Sequence, residues 1–262
     1  MHILDHLFGV TGKIVLVTGG GRGIGEAIAE GFVKAGAKVY ICSRKAETCR
    51  ETAERLSSYG ICIALPVAAD IASGEGRAAI VREMNLRESK LDILINNAGA
   101  LWAAPLADYP ESGWDKVFDL NVRGLFFLIR DLVPLMETAA SAADPARIIN
   151  IGSIDAFHIP KHETYAYSSS KAAAHQLSIH LADQLAKRHI TVNVIAPGMF
   201  PSKMMVGTLE TQGEEKVLEK VPLKRLTNGD DMAGTAIFLA SRAASYITGA
   251  IVPVDGGTAT TL

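Results

Sequence analysis

The strongest constraint on the fold of this chain is a set of short apolar runs spread along its length: KIVLVT (13–18), KVYIC (38–42), ICIAL (61–65), LDILIN (91–96), RIINIG (147–152), ITVNVI (190–195) and IVPVD (251–255). Each is as long as a strand, and helix-length amphipathic segments lie between them. Strands that read as continuous apolar runs lie in a sheet covered on both faces, and helical crossovers make such a sheet parallel. The helix after the first run shows the pattern, with Ile24, Ala27, Ile28, Phe32 and Ala35 on one stripe before Gly36 ends it. Right-handed crossovers then predict an α/β, doubly wound parallel sheet whose ligand crevice lies at the carboxyl ends of the strands. No internal repeat and no Pro/Gly/Ser-rich linker divides the chain, so residues 1–262 read as a single domain. ETAASAADPA (137–146) reads as a small-residue surface loop. The stretch 199–228 has mixed charge and no strand pattern, which suits a mobile flap over the crevice.

Composition narrows the function classes. With 48% hydrophobic residues in 262, a large core is expected. A formal net charge of -2 and the absence of any block of like charge argue against nucleic acid. No run is long and apolar enough to span a membrane, and MHILDHLFG lacks the pattern of a signal peptide, so the expectation is a soluble cytoplasmic protein. Cys42, Cys49 and Cys62 have neither CxxC nor Cys/His spacing, which argues against a disulfide framework or a metal site and for free thiols.

After the first strand comes TGGGRGIG, which fits TGxxxGxG through Thr18, Gly19, Gly23 and Gly25 but not GxGxxG, and which lacks the lysine of a P-loop. A strand-to-helix turn without Cβ atoms lets the backbone and a helix N-terminus approach a pyrophosphate closely. The alternative is a glycine-rich connection chosen for packing. Further on, TYAYSSSK presents two tyrosines and a lysine. Only Tyr167 stands four residues before Lys171, one helical turn away, so a phenol and an ammonium can share a pocket; Tyr165 finds Ser169 at that offset.

TGGGRGIG, NNAG (96–99), Asn121 in LNVRG, Ser153 in NIGS, Tyr167 and Lys171 in YSSSK, and Pro197–Gly198 occur in one order over nearly the whole chain. Together they resemble the short-chain dehydrogenase/reductases. The resemblance implies a seven-stranded Rossmann-like sheet, a nicotinamide cofactor, and hydride transfer between that cofactor and a carbonyl or alcohol carbon. It places the cofactor against Gly19, Gly21, Arg22, Gly23, Ile24 and Gly25. It adds Asp70 and Ile71 at the adenine, Asn97, Ala98 and Gly99 on the adenosine side, and Pro197, Gly198, Phe200 and Ser202 near the carboxamide, with Tyr167 and Lys171 at the nicotinamide ribose. An acid at the end of the second strand would bind a ribose 2′-hydroxyl and repel a 2′-phosphate. Here that position is Ser43, followed by Arg44, and Arg22 can reach the same corner. Two guanidiniums suit a phosphate dianion, so the expected cofactor is NADP(H); two solvated surface arginines are the alternative.

Reducing a ketone requires a proton at oxygen as hydride arrives at carbon. By resemblance Tyr167 is the acid, and Lys171 lowers its pKa and holds the ribose. Ser153 bonds the substrate oxygen, and Asn121 anchors a water that passes protons to Lys171. Ser153 as a turn serine and Asn121 as a helix-interior hydrogen bonder are the bland readings. His158 and His162, near the same loop, are not needed. Trp102 and Trp114 line the substrate pocket or serve as core and rim.

Longer stretches, ICSRKAETC, PARIINIGS, AYAYSSSKAAAHQLS and NVIAPGMFPSKM, are similar to the NADPH-dependent 3-oxoacyl reductases, especially the bacterial group tied to rhamnolipid metabolism. That similarity implies reduction of a 3-oxoacyl thioester. A carrier protein would need a basic face. Asp183 stands beside Lys187 and Arg188, and in the flap Lys203, Lys216, Lys220, Lys224 and Arg225 face Glu210, Glu214, Glu215 and Glu219, so coenzyme A or a small ketone is the other carrier reading. His158, Ile159, Met199, Phe200 and Met204 would build an adaptable apolar pocket. The alternatives are a sugar-acid, polyol or steroid dehydrogenase on the same scaffold, and an NADPH-binding protein without turnover. The family's subunit bundle implies a homotetramer, for which VRGLFFLIRDLVPL has apolar residues to spare.

Overall fold

Every one of the apolar runs forms a strand in the computed structural model, which describes residues 2–160, 162–201, 213–259 and 261. The strands are β1 (Ile14–Thr18), β2 (Lys38–Ser43), β3 (Cys62–Ala68), β4 (Ile93–Asn96), β5 (Ala146–Ile151), β6 (Ile190–Pro197) and β7 (Ile251–Val254). They pair in the order β3-β2-β1-β4-β5-β6-β7, all parallel. Every residue of β1, β4, β5 and β6 is buried. Side chains alternate between two apolar layers. Leu16, Leu94, Ile148 and Val192 face one, while Val15, Ile95, Ile149 and Ile195 face the other.

The first layer is closed by α4 (Gly74–Arg87), α6 (Leu125–Glu137) and α7 (Tyr165–Ala186), the second by α2 (Gly23–Lys34), α3 (Ala46–Leu56) and α9 (Gly229–Ala240). Three short helices, α1 (Ile3–Phe8), α5 (Glu111–Phe118) and α8 (Glu214–Glu219), complete the helices among the described residues. On α2 the buried stripe is Ile28, Ala29, Phe32 and Val33, with Ile24, Ala27 and Ala35 only partly covered. The stripe is rotated from the expected one because α2 packs on α9 as well as on the sheet. A Cβ added at Gly31 would lie 2.5 Å from the Cβ of Ala233, so the two helices touch backbone to side chain.

The amino ends of the strands carry a charged knot. The Asp92 carboxylate, buried at the start of β4, accepts the Ile14 N–H at 2.9 Å and meets the ammoniums of Lys13 and Lys90 at 3.3 and 3.1 Å. Asp144 accepts from the same Lys13 at 2.5 Å and faces buried Arg147 at 3.5 Å, so the 137–146 loop is more than a spacer. The segment from residue 199 is also partly anchored: Thr227 N donates to Met199 O at 3.0 Å, and Val217 and Val221 are buried. Ser202, Lys203, Met204 and Glu210 lie outside the described residues. Among the described residues no helix is long and apolar enough to cross a membrane.

The strand order reverses beside β1: the chain moves outward through β2 and β3, then returns to place β4 on the other side of β1. The loops leaving the carboxyl ends of β1 and β4 must therefore diverge, and the crevice between them opens toward β5.

Candidate active site

The loop from β1 into α2 is shaped by contacts that leave no room for side chains. Gly19 and Gly23 hold φ of +67° and +58°, the left-handed region that glycine enters without strain. A Cβ at Gly19 would meet the Asn97 amide nitrogen at 2.8 Å, and one at Gly25 would collide with the same group. That amide donates to Thr18 O at 3.0 Å and Gly19 O at 3.1 Å, while Thr18 Oγ1 accepts the N–H of Asn97 and of Ala98, each at 3.1 Å. Thr18 and Asn97 thus lock the loop to the end of β4. Thr18 as the receiving hydroxyl was not singled out from sequence beyond its place in the motif. At Gly23 nothing stands within 4 Å of where a Cβ would be, and Arg22 at the cap of α2 makes no side-chain capping bond. The first-turn N–H groups of α2 face open space bordered by glycine, which fits a pyrophosphate.

At the end of β2 the structure refines the expected phosphate corner. Ser43 Oγ donates to Lys45 O at 3.1 Å and accepts from Lys45 N at 3.2 Å and from Cys49 Sγ at 3.1 Å. Its hydroxyl is committed to a turn. Arg22 and Arg44 are both exposed, and neither side chain makes a hydrogen bond or ion pair with a described residue. Asp70 spends one carboxylate oxygen on Ala72 N at 3.1 Å. The Ile71 side chain is in the core and its carbonyl accepts from Arg77 at 2.7 Å, which leaves its main-chain N–H for a ligand. Gly198 follows Pro197 against β7, donating to Val254 O at 3.0 Å, and Phe200 packs half-buried on the second apolar layer. Ser202 falls outside the described residues.

Ser153, Tyr167, Lys171 and Asn121 come together at the end of β5. Tyr167 and Lys171 occupy the opening turns of α7, and Ser153 begins the 3₁₀ turn Ile154–Ala156. The Ser153 hydroxyl lies close enough to the Tyr167 phenol to lower its pKa. The Lys171 ammonium donates to Ile151 O at 2.7 Å and lies 5.7 Å from the centre of the Tyr167 ring. A buried ladder fixes α7 against the sheet: Asn96 donates to Asn150 at 2.9 Å, Asn150 to Ser178 at 2.9 Å, and Ser178 back to Ala174 O at 2.6 Å. Asn121 lies in a π-helical stretch, Asp119–Gly124, between α5 and α6. Such a widened turn redirects one side chain without ending the helix. The Asn121 amide donates to Ala100 O at 2.9 Å and Ser170 Oγ at 3.0 Å, and its oxygen accepts Ala100 N at 2.8 Å. Ser170 in turn donates to Tyr167 O at 2.7 Å. Both amide protons are therefore used to tie β4's loop to the catalytic helix; a water would have to be held by an oxygen.

The electrostatics reverse one expectation. Burial pushes the Tyr167 phenol up to about 12; the Ser153 hydrogen bond pulls it down, and Asp155 pushes it further up. Desolvation outweighs any help from Lys171, whose own ammonium is lowered by burial to about 8. In the protein by itself the pair is a protonated acid beside a readily titrated cation. Asp155, not singled out from sequence, sits between them electrically. Its carboxyl is raised by burial, opposed by His158, His162 and Lys171, and its charge in turn favours the charged form of Lys171. No local sequence pattern marks that role.

The rim is apolar and aromatic. Tyr165 donates to Glu163 at 2.8 Å and stands edge-on to Tyr109 at 5.7 Å, away from the catalytic pair. Trp114 stacks on Phe118 at 5.1 Å, and Trp102 packs over Gly113, so both tryptophans serve the wall of the loop after β4. Leu101 and Leu106 on that loop, and Phe157 and Ile159 on the loop after β5, are exposed. Ala104 N and Leu106 N, bonded to Glu163 at 3.2 Å each, hold the two loops side by side.

A family model described as enoyl-(acyl carrier protein) reductase matches residues 9–259. The rhamnolipids biosynthesis 3-oxoacyl-[acyl-carrier-protein] reductase of Pseudomonas aeruginosa is 48% identical over 254 residues, covering 95% of this chain and 97% of the relative. The 7α-hydroxysteroid dehydrogenase of Escherichia coli K12 is 34% identical over 94% of each chain. Among solved structures, the Pseudomonas aeruginosa RhlG/NADP active-site complex superposes with a TM-score of 0.93 at 47% identity, over 98% of this chain and 99% of that one.

Proposed function

Because the chain belongs to the short-chain dehydrogenase/reductase family, we propose that it reduces a 3-oxoacyl thioester to the 3-hydroxyacyl thioester with NADPH as hydride donor. The observation that carries the reaction type is the Tyr167 phenol, half-buried, protonated and set beside the Ser153 hydroxyl at the end of β5. Two hydroxyls meeting at one point suit a ketone oxygen that gains a proton from Tyr167 while Ser153 donates to it. When bound, the nicotinamide supplies the hydride. Lys171 holds the ribose and keeps a positive charge near the phenol, while Asn121 and Ser170 fix the helix turn that carries Tyr167. Gly19, Gly21, Gly23, Ile24 and Gly25 cradle the pyrophosphate, with Asn97, Ala98 and Gly99 closing the adenosine side. Arg22 and Arg44 would select the 2′-phosphate, and Pro197, Gly198 and Phe200 would flank the carboxamide.

The thioester reading is supported by the 48% identical relative, itself a 3-oxoacyl-[acyl-carrier-protein] reductase, and by the apolar rim of Leu101, Leu106, Phe157 and Ile159, which suits an acyl chain better than a sugar. The mixed charge of α8 and its flanks, with Lys216 and Lys220 among Glu214, Glu215 and Glu219, leaves carrier protein and coenzyme A as two forms of that substrate. Residues 199–228 act as its flap. Further readings are a cytoplasmic location and a homotetramer, the latter supported by an open apolar groove between α6 and α7 formed by Phe126, Ile129, Val133, Leu181 and Leu185.

The test is initial rates of NADPH and NADH oxidation with acetoacetyl coenzyme A, a longer 3-oxoacyl thioester, a crotonyl thioester, a sugar ketone and a 7-oxosteroid. Fast, NADPH-selective reduction of the 3-oxoacyl thioesters is expected. Turnover of the sugar or steroid alone would move the protein to the second reading, a sugar or steroid dehydrogenase like the 34% identical relative.

A further inference from the structure

His175 is a buried histidine, 5% exposed, one turn along α7 from Lys171 and two from Tyr167, and the hydride-transfer chemistry makes no use of it. Its Nε2 accepts the Ser153 main-chain N–H at 3.4 Å, which puts the ring proton on Nδ1. Burial and the charge of Lys171 lower its pKa to about 4, so the ring stays neutral and Nε2 remains an acceptor at the pH values where Lys171 is charged. Gly152 is matched to this ring. A Cβ there would collide with Nε2 and come within 2.7 Å of Val194 Cγ1, so no larger residue fits while the imidazole is in place. Phe157, from the turn after Ser153, lies against the ring with centroids 6.0 Å apart.

Ser153 is therefore held at its main chain and at its hydroxyl. Its N–H is held by His175 at 3.4 Å, its carbonyl accepts the Ala156 N–H at 3.2 Å, and its Oγ accepts the Asp155 N–H at 3.1 Å and lies beside the Tyr167 phenol. The contacts at Oγ act on a rotatable hydroxyl and the Ala156 bond lies within the turn itself; the bond to His175 ties the main chain of that turn to α7. We infer that His175 is the positioning residue of Ser153, a neutral imidazole whose acceptor nitrogen, made possible by Gly152, sets the Ser153 backbone so that its hydroxyl meets the substrate oxygen. Without the acceptor a buried N–H is left unpaired, and the backbone around Ser153 relaxes to find another partner. The inference rests on the proposed roles of Ser153 and Tyr167.

The experiment is a double-mutant cycle on the ketone that the substrate panel identifies, comparing wild type, His175→Leu, Ser153→Ala and the double variant. His175→Leu is expected to lower kcat about 10- to 100-fold, the range of a lost or misplaced oxygen donor, with KM for NADPH unchanged. In the Ser153→Ala background the same substitution costs nothing further, because the serine through which it acts is gone. His175→Asn, whose carboxamide oxygen returns an acceptor, regains activity, and Gly152→Ala reproduces the loss with the histidine intact. Should His175→Leu fail to fold, the cycle run with Gly152→Ala and His175→Asn gives the same reading. Full kcat in His175→Leu, or losses that add to that of Ser153→Ala, overturn the inference. A fully active Tyr167→Phe would instead overturn the reading of the site on which it rests.

Discussion

The two titrations at the catalytic helix are set four units apart, with Lys171 near 8 and Tyr167 near 12, and this predicts which group limits ketone reduction at high pH. Reduced nicotinamide is neutral and leaves the phenol high, so Tyr167 stays protonated through pH 9 and cannot be the source of an alkaline decline. Lys171 loses its ammonium instead. A fall of about tenfold per pH unit is expected above pH 8, so roughly a tenth of the activity remains at pH 9. Substituting Asp155→Asn removes a negative charge that favours the charged form of Lys171. The sign is fixed: an ammonium without its counter-charge gives up its proton more easily, and the basic limb moves to lower pH. The assay is kcat for NADPH-dependent reduction from pH 6 to 10 in a constant-ionic-strength buffer, wild type against Asp155→Asn. A basic limb that stays in place, or moves upward, would refute the electrostatic account of the pair.

Tyr167→Phe is expected to lose about 10²- to 10⁴-fold in kcat, the usual worth of a positioned acid, while Tyr165→Phe, whose hydroxyl meets only Glu163, keeps near-normal rates; stopped-flow reduction of both variants decides. Replacing Asp92 by Ala leaves the Ile14 N–H at the foot of β1 without its acceptor, while Lys13 keeps Asp144, and is expected to cost about 2 kcal/mol, read from the urea midpoint at unchanged m-value. Arg22→Ala with Arg44→Ala removes the two exposed guanidiniums of the loops after β1 and β2 and should narrow the preference for NADPH over NADH by about 10-fold or more, measured as the ratio of kcat/KM values.

What could be read from the chain alone depended on how local each feature is. The strands were legible because burial on both faces leaves no polar alternation to confuse them; β1, with all its residues buried, is the plain case. Tyr167 and Lys171 could be set on one helix face because one helical turn is a fixed spacing, while their roles rested on the family resemblance. Ser43 shows the limit: its place at the end of β2 was readable, but the bonds from Cys49 and Lys45 that occupy its hydroxyl follow from how α3 begins. The π-helical stretch around Asn121 has no composition of its own, since it is a change of hydrogen-bond register within residues that also suit an α-helix. The upward shift of Tyr167 and the influence of Asp155 arise from burial, which depends on every element around the crevice. Likewise the bond from Ser153 to His175 joins positions on a strand end and a helix interior that no periodic pattern connects.

Arg22 and Arg44 are exposed and bonded to no described residue, while the one polar side chain between them and the strand is locked in a turn. Recognition by such unpaired surface charge is a long-range, ion-sensitive affair. The Debye length falls from about 8 Å at physiological ionic strength to about 3 Å at 1 M salt, and the pull of both guanidiniums on a phosphate falls with it. On the proposed role of Arg22 and Arg44, cofactor discrimination is expected to be sharp in dilute buffer and blunted in brine, while the chemical step inside the crevice, shielded from mobile ions, is expected to keep the same pace in both.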